Sequence, residues 1–419
     1  MCELLVGLPD VTVLDVTDSG DRLRVTVETR TVRPSCPGCG DEVAVKDRPV
    51  VELTDLPCFG MPAVLVWHKV RWGCLVGCGS FTEHAPGIAA PRLRITDRAA
   101  RWATVQVGRH GRSVSEVAAD LGCGWHAVMD AVVAYGQVLV DDPARFGDVA
   151  ALGLDETLRC RLGRWRHQQW TTQIVDVASG QLLDVVEGRT ATGPIGWLAE
   201  RSQQWRDGVE WATLDLSGPY RKVFDTMLPD AVQVADPFHL VKLANSKLDE
   251  CRRRVQNETL GHRGRKTDPL YRARRLLTRA HERLDDRGDT KLRGLLHAGD
   301  PRGEVQMTWH CKETIRSIYH IDDYDLAGEF VDQLACDLVD DSMPLEVRAL
   351  GRTIARWRDQ IVAWHQARVS NGPTEAINNL VKRVKRVAFG ITNFRNYRIR
   401  ALLYAGRPNW NLLANITPR

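Results

Sequence analysis

Between residues 150 and 235 the chain alternates short apolar runs with polar breaks in one fixed order, and that order limits the folds open to it more than any other feature. Ala150-Ala-Leu-Gly-Leu-Asp155, Gln168-Gln-Trp-Thr-Thr-Gln-Ile-Val-Asp176 and Gln181-Leu-Leu-Asp-Val-Val-Glu187 are short, rich in apolar residues and bounded by polar ones, as β-strands are. A turn at Ala178-Ser-Gly180 separates the second from the third. A helical stretch over about 192–205 follows, then a fourth strand, Val209-Glu-Trp-Ala-Thr-Leu-Asp215. Ser217-Gly-Pro219 opens a helix to about residue 227, and Ala231-Val-Gln-Val-Ala235 makes a fifth strand before Asp236-Pro-Phe-His239. The fold class is therefore α/β, with Asp155 closing the first strand and Asp215 the fourth.

A third acid lies far downstream, in Ser370-Asn-Gly-Pro-Thr-Glu375-Ala-Ile-Asn-Asn-Leu-Val-Lys382-Arg-Val-Lys-Arg386. Pro373 suits a first helical position with Gly372 before it, and Ile377, Leu380, Val381 and Val384 recur at the spacing of one buried face. Glu375 then sits in the first turn, where a carboxylate complements the helix dipole, and Lys382, Arg383, Lys385 and Arg386 fall on the other faces. The formal net charge is only +4, so the total does not announce nucleic acid. Its distribution does: Arg252-Arg-Arg254 and the stretches 263–266, 272–279 and 382–400 are basic blocks, and phosphate neutralisation is a local requirement. Arg395 and Arg398 interleave with Phe394 and Tyr397 in the last block, which suits contact with a DNA backbone.

Four motifs, in order and over nearly the whole chain, resemble one known family. They are Gly153-Leu-Asp155-Glu, Leu214-Asp215-Leu-Ser-Gly-Pro-Tyr220, Ala235-Asp236-Pro-Phe-His239-Leu-Val-Lys242 and Asn371-Gly-Pro-Thr-Glu375-Ala-Ile-Asn-Asn. The chain resembles the transposases of the ISL-three family of bacterial insertion sequences, which carry a DDE-type, ribonuclease H-like catalytic domain. The strand order is also that of a ribonuclease H-like sheet, whose first and fourth strands bring their acids side by side. The resemblance implies Asp155, Asp215 and Glu375 as the catalytic triad and Asp236 with His239 as an accessory motif; Asp236 remains open as the second acid in place of Asp215. It also implies a substrate of double-stranded DNA, the element's terminal inverted repeats and a target, handled by a homodimer or higher assembly.

Three converging acids match that chemistry. Cleavage and strand transfer are in-line displacements at phosphorus, in which two metal ions stabilise the attacking and the leaving oxygen. Mg²⁺ prefers hard oxygen ligands, and Mn²⁺ takes the same set. Asp155 is expected to bridge two ions, with Asp215 and Glu375 each completing one side. Two other classes use much of the same sequence: a non-catalytic DNA-binding regulator derived from a transposase, and a metal-dependent nuclease or resolvase that does not join strands. Intact acids argue against the first.

Cys36-Pro-Gly-Cys39-Gly and Cys74-Leu-Val-Gly-Cys78-Gly form two knuckles separated by strand-like residues 43–45 and 63–72. Four thiolates on tight turns suit one tetrahedral Zn²⁺ with no open position, a structural Cys₄ ribbon. The other seven of the 11 cysteines, Cys2 and Cys58 among them, fall outside both pairs. A helix over 96–110 follows. Ser113-Val-Ser-Glu116 has capping-box spacing ahead of a second helix, Gly122-Cys-Gly124 breaks it, and a third runs from Trp125 to about residue 135. Helix, glycine turn and helix is the helix-turn-helix pattern, whose second helix offers its first residues to the major groove. Trp125, His126 and Met129 or Asp130 would face bases there, while Arg109, His110 and Arg112 hold the backbone.

The expected plan is an N-terminal strand-rich zinc-binding domain over 1–92, a helix-turn-helix over 93–147 and a catalytic domain over 148–419, interrupted by a helical insertion at about 240–368. Trp309, Trp357 and Trp364 of the insertion are candidates to stack on an unpaired base. No run nears the roughly 18 apolar residues of a membrane span, and no basic-then-apolar signal opens the chain, so a cytoplasmic protein without a membrane partner is expected.

Overall fold

The computed structural model describes residues 6–8, 10–83, 85–262 and 264–418; Cys2 and Arg263 lie outside them. Two small sheets form the N-terminal part. Strands β1 (Val11–Asp18), β2 (Leu23–Thr29), β4 (Val50–Cys58) and β5 (Met61–His68) make one, in the order β1-β2-β5-β4, with β2 and β5 parallel and the outer pairs antiparallel. Strands β3 (Val43–Asp47), β6 (Arg71–Cys74) and β7 (Ser80–Thr82) make the other. The single run expected over 63–72 is thus two strands in different sheets. The chain bends at Val70, whose N–H donates to the buried Glu83 carboxylate at 2.7 Å, while Thr29 of the first sheet donates to the same oxygen at 2.6 Å.

Three helices follow: α1 (Asp97–Thr104), α2 (Val114–Leu121) and α3 (Trp125–Val140). Ser113 caps α2 through the reciprocal bonds with Glu116 that the sequence suggested, and Gly122 ends it at a left-handed φ of 63°, which glycine adopts without strain. Helix α3 runs five residues beyond the expected end near 135, to Val140.

A five-stranded sheet forms the centre, from β8 (Ala151–Leu162), β9 (His167–Asp176), β10 (Gln181–Glu187), β11 (Trp211–Leu214) and β12 (Val232–Ala235). Its order is β10-β9-β8-β11-β12; β8, β11 and β12 are mutually parallel, whereas β9 is antiparallel to both neighbours. Asp155 does not close its strand: β8 continues to Leu162 as one arm of a long hairpin with β9. What ends nearby is the other ladder, because β8 pairs with β11 only over Ala151–Gly153. Asp155 therefore stands beyond the last β11 partner, and Asp215 directly follows β11. The helix expected over 192–205 is α4 (Thr192–Ala199) and α5 (Gln203–Asp207), the second begun by Ser202, whose hydroxyl accepts from Trp205 N. Helix α6 (Gly218–Met227) links β11 to β12.

Seven helices then precede the last two: α7 (Pro237–Leu260), α8 (Pro269–Leu277), α9 (Asp286–Gly299), α10 (Glu304–Ser317), α11 (Tyr324–Leu338), α12 (Leu345–Arg356) and α13 (Arg358–Ala367). The far half of α7 makes a small separate core with α8, α9 and α10 around Leu248, Val255, Leu277, Leu296 and Trp309. Helices α11, α12 and α13 instead join α6 beneath the central sheet, where Val331, Leu350 and Ile361 share a core with Leu154, Leu214 and Phe224. The opposite face is covered by α14 (Gly372–Val387), α15 (Phe394–Ala405) and the helix-turn-helix, in one core joining Val175, Leu182 and Val185 to Tyr135, Leu139, Ile377, Val381, Ile399 and Leu403. The sheet is the middle of three layers, and the helix-turn-helix belongs to one of them.

Candidate active site

Alternation along β8 decides what α14 meets. Leu152 and Leu154 enter the core shared with α6, so Gly153 and Asp155 turn to the other face. The approach there is close: a Cβ on Gly153 would meet Val177 at 2.8 Å and Thr213 Oγ1 at 2.9 Å and would collide with Thr374 Oγ1. Glycine is what allows the first turn of α14, which carries Glu375, to lie against the strand two residues before Asp155.

Hydrogen bonds fix that turn. Thr213 donates to Asn371 Oδ1 at 3.1 Å. Asn371 donates through Nδ2 to Asp215 Oδ1 at 3.2 Å and through its backbone N–H to Asp236 Oδ1 at 3.0 Å. Seven residues on, Asn378 donates to Asp155 Oδ2. Glu375 lies between them at the spacing of the same helical face. Its side chain is exposed and makes no hydrogen bond or ion pair among the described residues.

Asp155 and Asp215 are held near each other with only neutral amides and one histidine for compensation. Burial, then the charge of Asp215, push the Asp155 carboxyl up to about 6. His239 places Nδ1 at 2.9 Å from Asp215 Oδ1 and 2.8 Å from Asp236 Oδ2. Burial pulls against charging the ring, but bonds to the two carboxylates outweigh it and push His239 up to about 10. Asp236 is buried and caps α7, and both its oxygens are occupied by Asn371 and His239. Of the two candidates for second acid, Asp215 is the one with a free aspect. It lines a cavity of ≈ 500 Å³ together with Lys242 of α7 and Arg356 of α12, both exposed and without an ion pair.

Asn371, Asn378, Lys242 and Arg356 were absent from the sequence reading as site residues. The asparagines had a signal, two amides flanking Glu375 at helical spacing. Arg356 had none, because only the path of the insertion brings it there. The three insertion tryptophans are not free to stack: Trp309 and Trp357 are 5% exposed, and Trp364 is held edge-on to Tyr319 at 5.2 Å under Arg368.

The residues expected on DNA divide. Arg109, His126, Lys382, Arg386 and Arg395 are exposed and unpaired, and Trp125, 41% exposed, stands at the first position of α3. Met129 is core, leaving Asp130 as the exposed residue of that pair. Three cations are engaged by partners within the protein instead. Arg112 pairs with Asp120 at 2.7 Å, Lys385 donates to the Leu158 carbonyl at 2.6 Å, and Arg398 is bound to Asp184 at 2.7 Å and Asp141 at 3.5 Å. Arg383 lies 5.8 Å over the Tyr404 ring.

At the N-terminal end, Sγ atoms of Cys36, Cys39, Cys74 and Cys78 lie within 4.8 Å of one another, and those of Cys39 and Cys74 are 3.6 Å apart. Tetrahedral Zn²⁺ with bonds of about 2.3 Å needs thiolates about 3.8 Å apart, so this set fits. Backbone N–H groups of Cys78 and Val76 favour the Cys74 thiolate and pull it down to about 6. Among the described residues it is the one cluster of three or more such ligands this tight, and the carboxylates of the central sheet are not drawn together to that degree.

Comparison with known proteins bears on the same elements. A family profile described as "Transposase" matches residues 152–401, from β8 to the end region of α15, and a second, the helix-turn-helix domain of transposase family ISL3, matches residues 83–136. Transposases for insertion sequence element IS1557 from two Mycobacterium tuberculosis strains are each 26% identical over 435 residues, spanning 92% of this chain and 90% of the relative. With one profile covering the sheet, its acids and the insertion, and the other covering the helices ahead of them, the chain belongs to the ISL3 family of transposases.

Proposed function

We propose that the protein binds the terminal inverted repeats of its insertion sequence and catalyses metal-dependent DNA cleavage and strand transfer, on a ribonuclease H-like core. The observation that carries this is the seating of α14 on Gly153, the helix that bears Glu375 and whose flanking Asn371 and Asn378 bond to Asp215 and Asp155. The strand order, with the first and fourth strands adjacent and parallel, supports the fold assignment. Asp155, Asp215 and Glu375 would hold Mg²⁺ or Mn²⁺, whose bound charge polarises phosphoryl oxygen and activates water. Asn371 and Asn378 orient the first two acids without adding charge, so their negative charge stays available to a cation. Asp236 positions His239 and the α14 cap. Lys242 and Arg356 stand where they can steady DNA phosphates beside the acids. Two DNA ends must be held at once for strand transfer, so a homodimer or larger assembly on DNA forms part of the proposal. The four cysteines would hold one structural Zn²⁺.

The test is cleavage of a plasmid carrying the element's ends by purified Asp155→Asn, Asp215→Asn and Glu375→Gln proteins. Each is expected to lose cleavage while still retarding end DNA. Cleavage surviving in Asp215→Asn but lost in Asp236→Asn would transfer the second ligand to Asp236. The nuclease or resolvase reading is separated by products: a transposase joins a DNA 3′ end to a new target, and cut ends without joined products would sink strand transfer.

A further inference from the structure

Four arginines among the described residues are buried, and three of them have partners. Arg145 donates to the carbonyls of Val140, Leu182, Leu183 and Gly406, Arg159 to Thr392 O and Glu187, and Arg252 to Asp249 and Gln256. Arg400, on α15, is the exception. It is 4% exposed, its Nε is buried without a hydrogen-bond partner, and the side chain forms no ion pair or ring contact with any described residue. Burial draws it down to about 10, still a cation at neutral pH. Burying an unpaired guanidinium is costly, and such groups are ordinarily matched by an acceptor.

Arg400 lines a cavity of ≈ 170 Å³, several times the roughly 30 Å³ that a water molecule takes in the liquid. The cavity has no carboxylate in its walls. The opening residues of three helices meet there instead: Ser113 and Ser115 of α2, Trp125 of α3, and Asn393 capping α15 with Asn396 behind it. Ser113 and Asn393 already cap the first turns of α2 and α15, whereas α3 has no side-chain cap, so its N-terminal N–H groups add positive potential beside the guanidinium and favour an anion. The remaining wall is the α14–α15 turn, whose Phe389 is 99% exposed at a φ of 52°.

We infer that this cavity is a phosphate site, centred on Arg400, that receives one backbone phosphate of the DNA end bound by the helix-turn-helix. The inference rests on the proposed function only for the identity of the DNA. When the first residues of α3 enter a major groove, the flanking backbone passes over the residues beside them, and Trp125 shares this cavity with Arg400. The phosphate would thus be gripped jointly by the recognition helices and by α15, which is packed on the catalytic sheet. That fixes the distance between the bases read and the bond cut.

The experiment uses the full chain in chelator, so that cleavage plays no part. Affinity for a terminal-repeat duplex is measured by fluorescence anisotropy at several salt concentrations, for wild type, Arg400→Met and Arg400→Lys. A set of duplexes each carries one neutral methylphosphonate linkage. Arg400→Met is expected to bind roughly ten- to hundredfold more weakly and to lower the salt slope by about one. One linkage position should cost the wild type affinity and cost Arg400→Met nothing further. Because no internal partner is lost, Arg400→Met should melt at or above the wild-type temperature without DNA; a lower melting temperature would show an internal partner and overturn the site. If Arg400→Met fails to fold, Arg400→Lys decides by the same scan, with unchanged affinity counting against the proposal. Inorganic phosphate that stabilises the wild type but not Arg400→Met, with unchanged DNA binding, would assign the cavity to a free anion and overturn the backbone assignment. Wild-type protein that binds no end DNA would bring down the proposed function itself, whereas wild-type binding that Arg400→Met matches overturns the phosphate site alone.

Discussion

At the scale of single residues, Asp155 is placed where the free protein is worse off for having it charged. Its carboxyl is pushed up to about 6 from an ordinary 3.8, so between those values the folded chain holds more protons than the unfolded one. Metal-free stability should then fall as pH rises from about 4 through 6, and the deficit persists above. Asp155→Asn removes the charge and retains an oxygen, so without metal it should melt higher than the wild type, by on the order of 1–3 kcal/mol at pH 7. With Mg²⁺ the order should reverse or close, because only the wild type gains from the cation. Melts in chelator and in millimolar Mg²⁺ test this; a variant less stable than wild type in chelator would show that Asp155 serves the fold rather than a metal.

At the scale of elements, the site depends on how closely α14 lies against β8. Gly153→Ala puts a methyl group into Thr374 and against Thr213 and Val177, which should cost about 1–3 kcal/mol and displace the turn carrying Glu375. Cleavage should fall further than stability explains, as activity normalised to folded protein would reveal. The ribbon is tested by metal analysis: one Zn²⁺ per chain is expected, and Cys36→Ser or Cys74→Ser should lose it and unfold the two small sheets, since structural zinc binding is coupled to folding. The five central strands, the capping box at Ser113 and the cysteine set were legible because each is written in local spacing. Where β8 ends was not, since it leaves β11 after Gly153 but stays with β9 to Leu162, and a single sequence carries no record of which neighbour a strand loses first. Charge was misleading for a related reason. Lys385 and Arg398 belong to a basic block, yet their partners, Leu158 O and Asp184, lie more than two hundred residues away. Arg386 and Arg395, from the same block, stayed free.

For the whole molecule, the consequential feature is that the helix-turn-helix is not a bead on a linker. Its third helix, α3, meets α15 so closely that a Cβ on Gly136 would lie 2.9 Å from Leu403 Cδ1 and 3.1 Å from Ile399 Cγ2. Tyr135, Leu139 and Val140 share one core with Leu182 and Val185 of the central sheet. A boundary at 147/148 divides the sequence but cuts through this core. Removing residues 1–147 would bare Ile399, Leu402 and Leu403, all buried, together with one face of the sheet. Burial of each such side chain is worth about 1.5–3 kcal/mol, so several exposed at once rival the whole stability of a domain. The truncated chain is therefore expected to aggregate or stay unfolded, and end recognition should be tested on the intact protein. Substituting the exposed His126 and Asp130 of α3 should erode the preference for cognate over unrelated duplex while leaving nonspecific affinity and its salt dependence nearly unchanged. Arg386→Ala should do the reverse, weakening both duplexes alike and lowering the salt slope by up to about one. Competition binding at several salt concentrations reads both. A soluble, cooperatively melting 148–419 fragment would refute the shared-core argument, and one that still prefers its own ends would move recognition into the helical insertion.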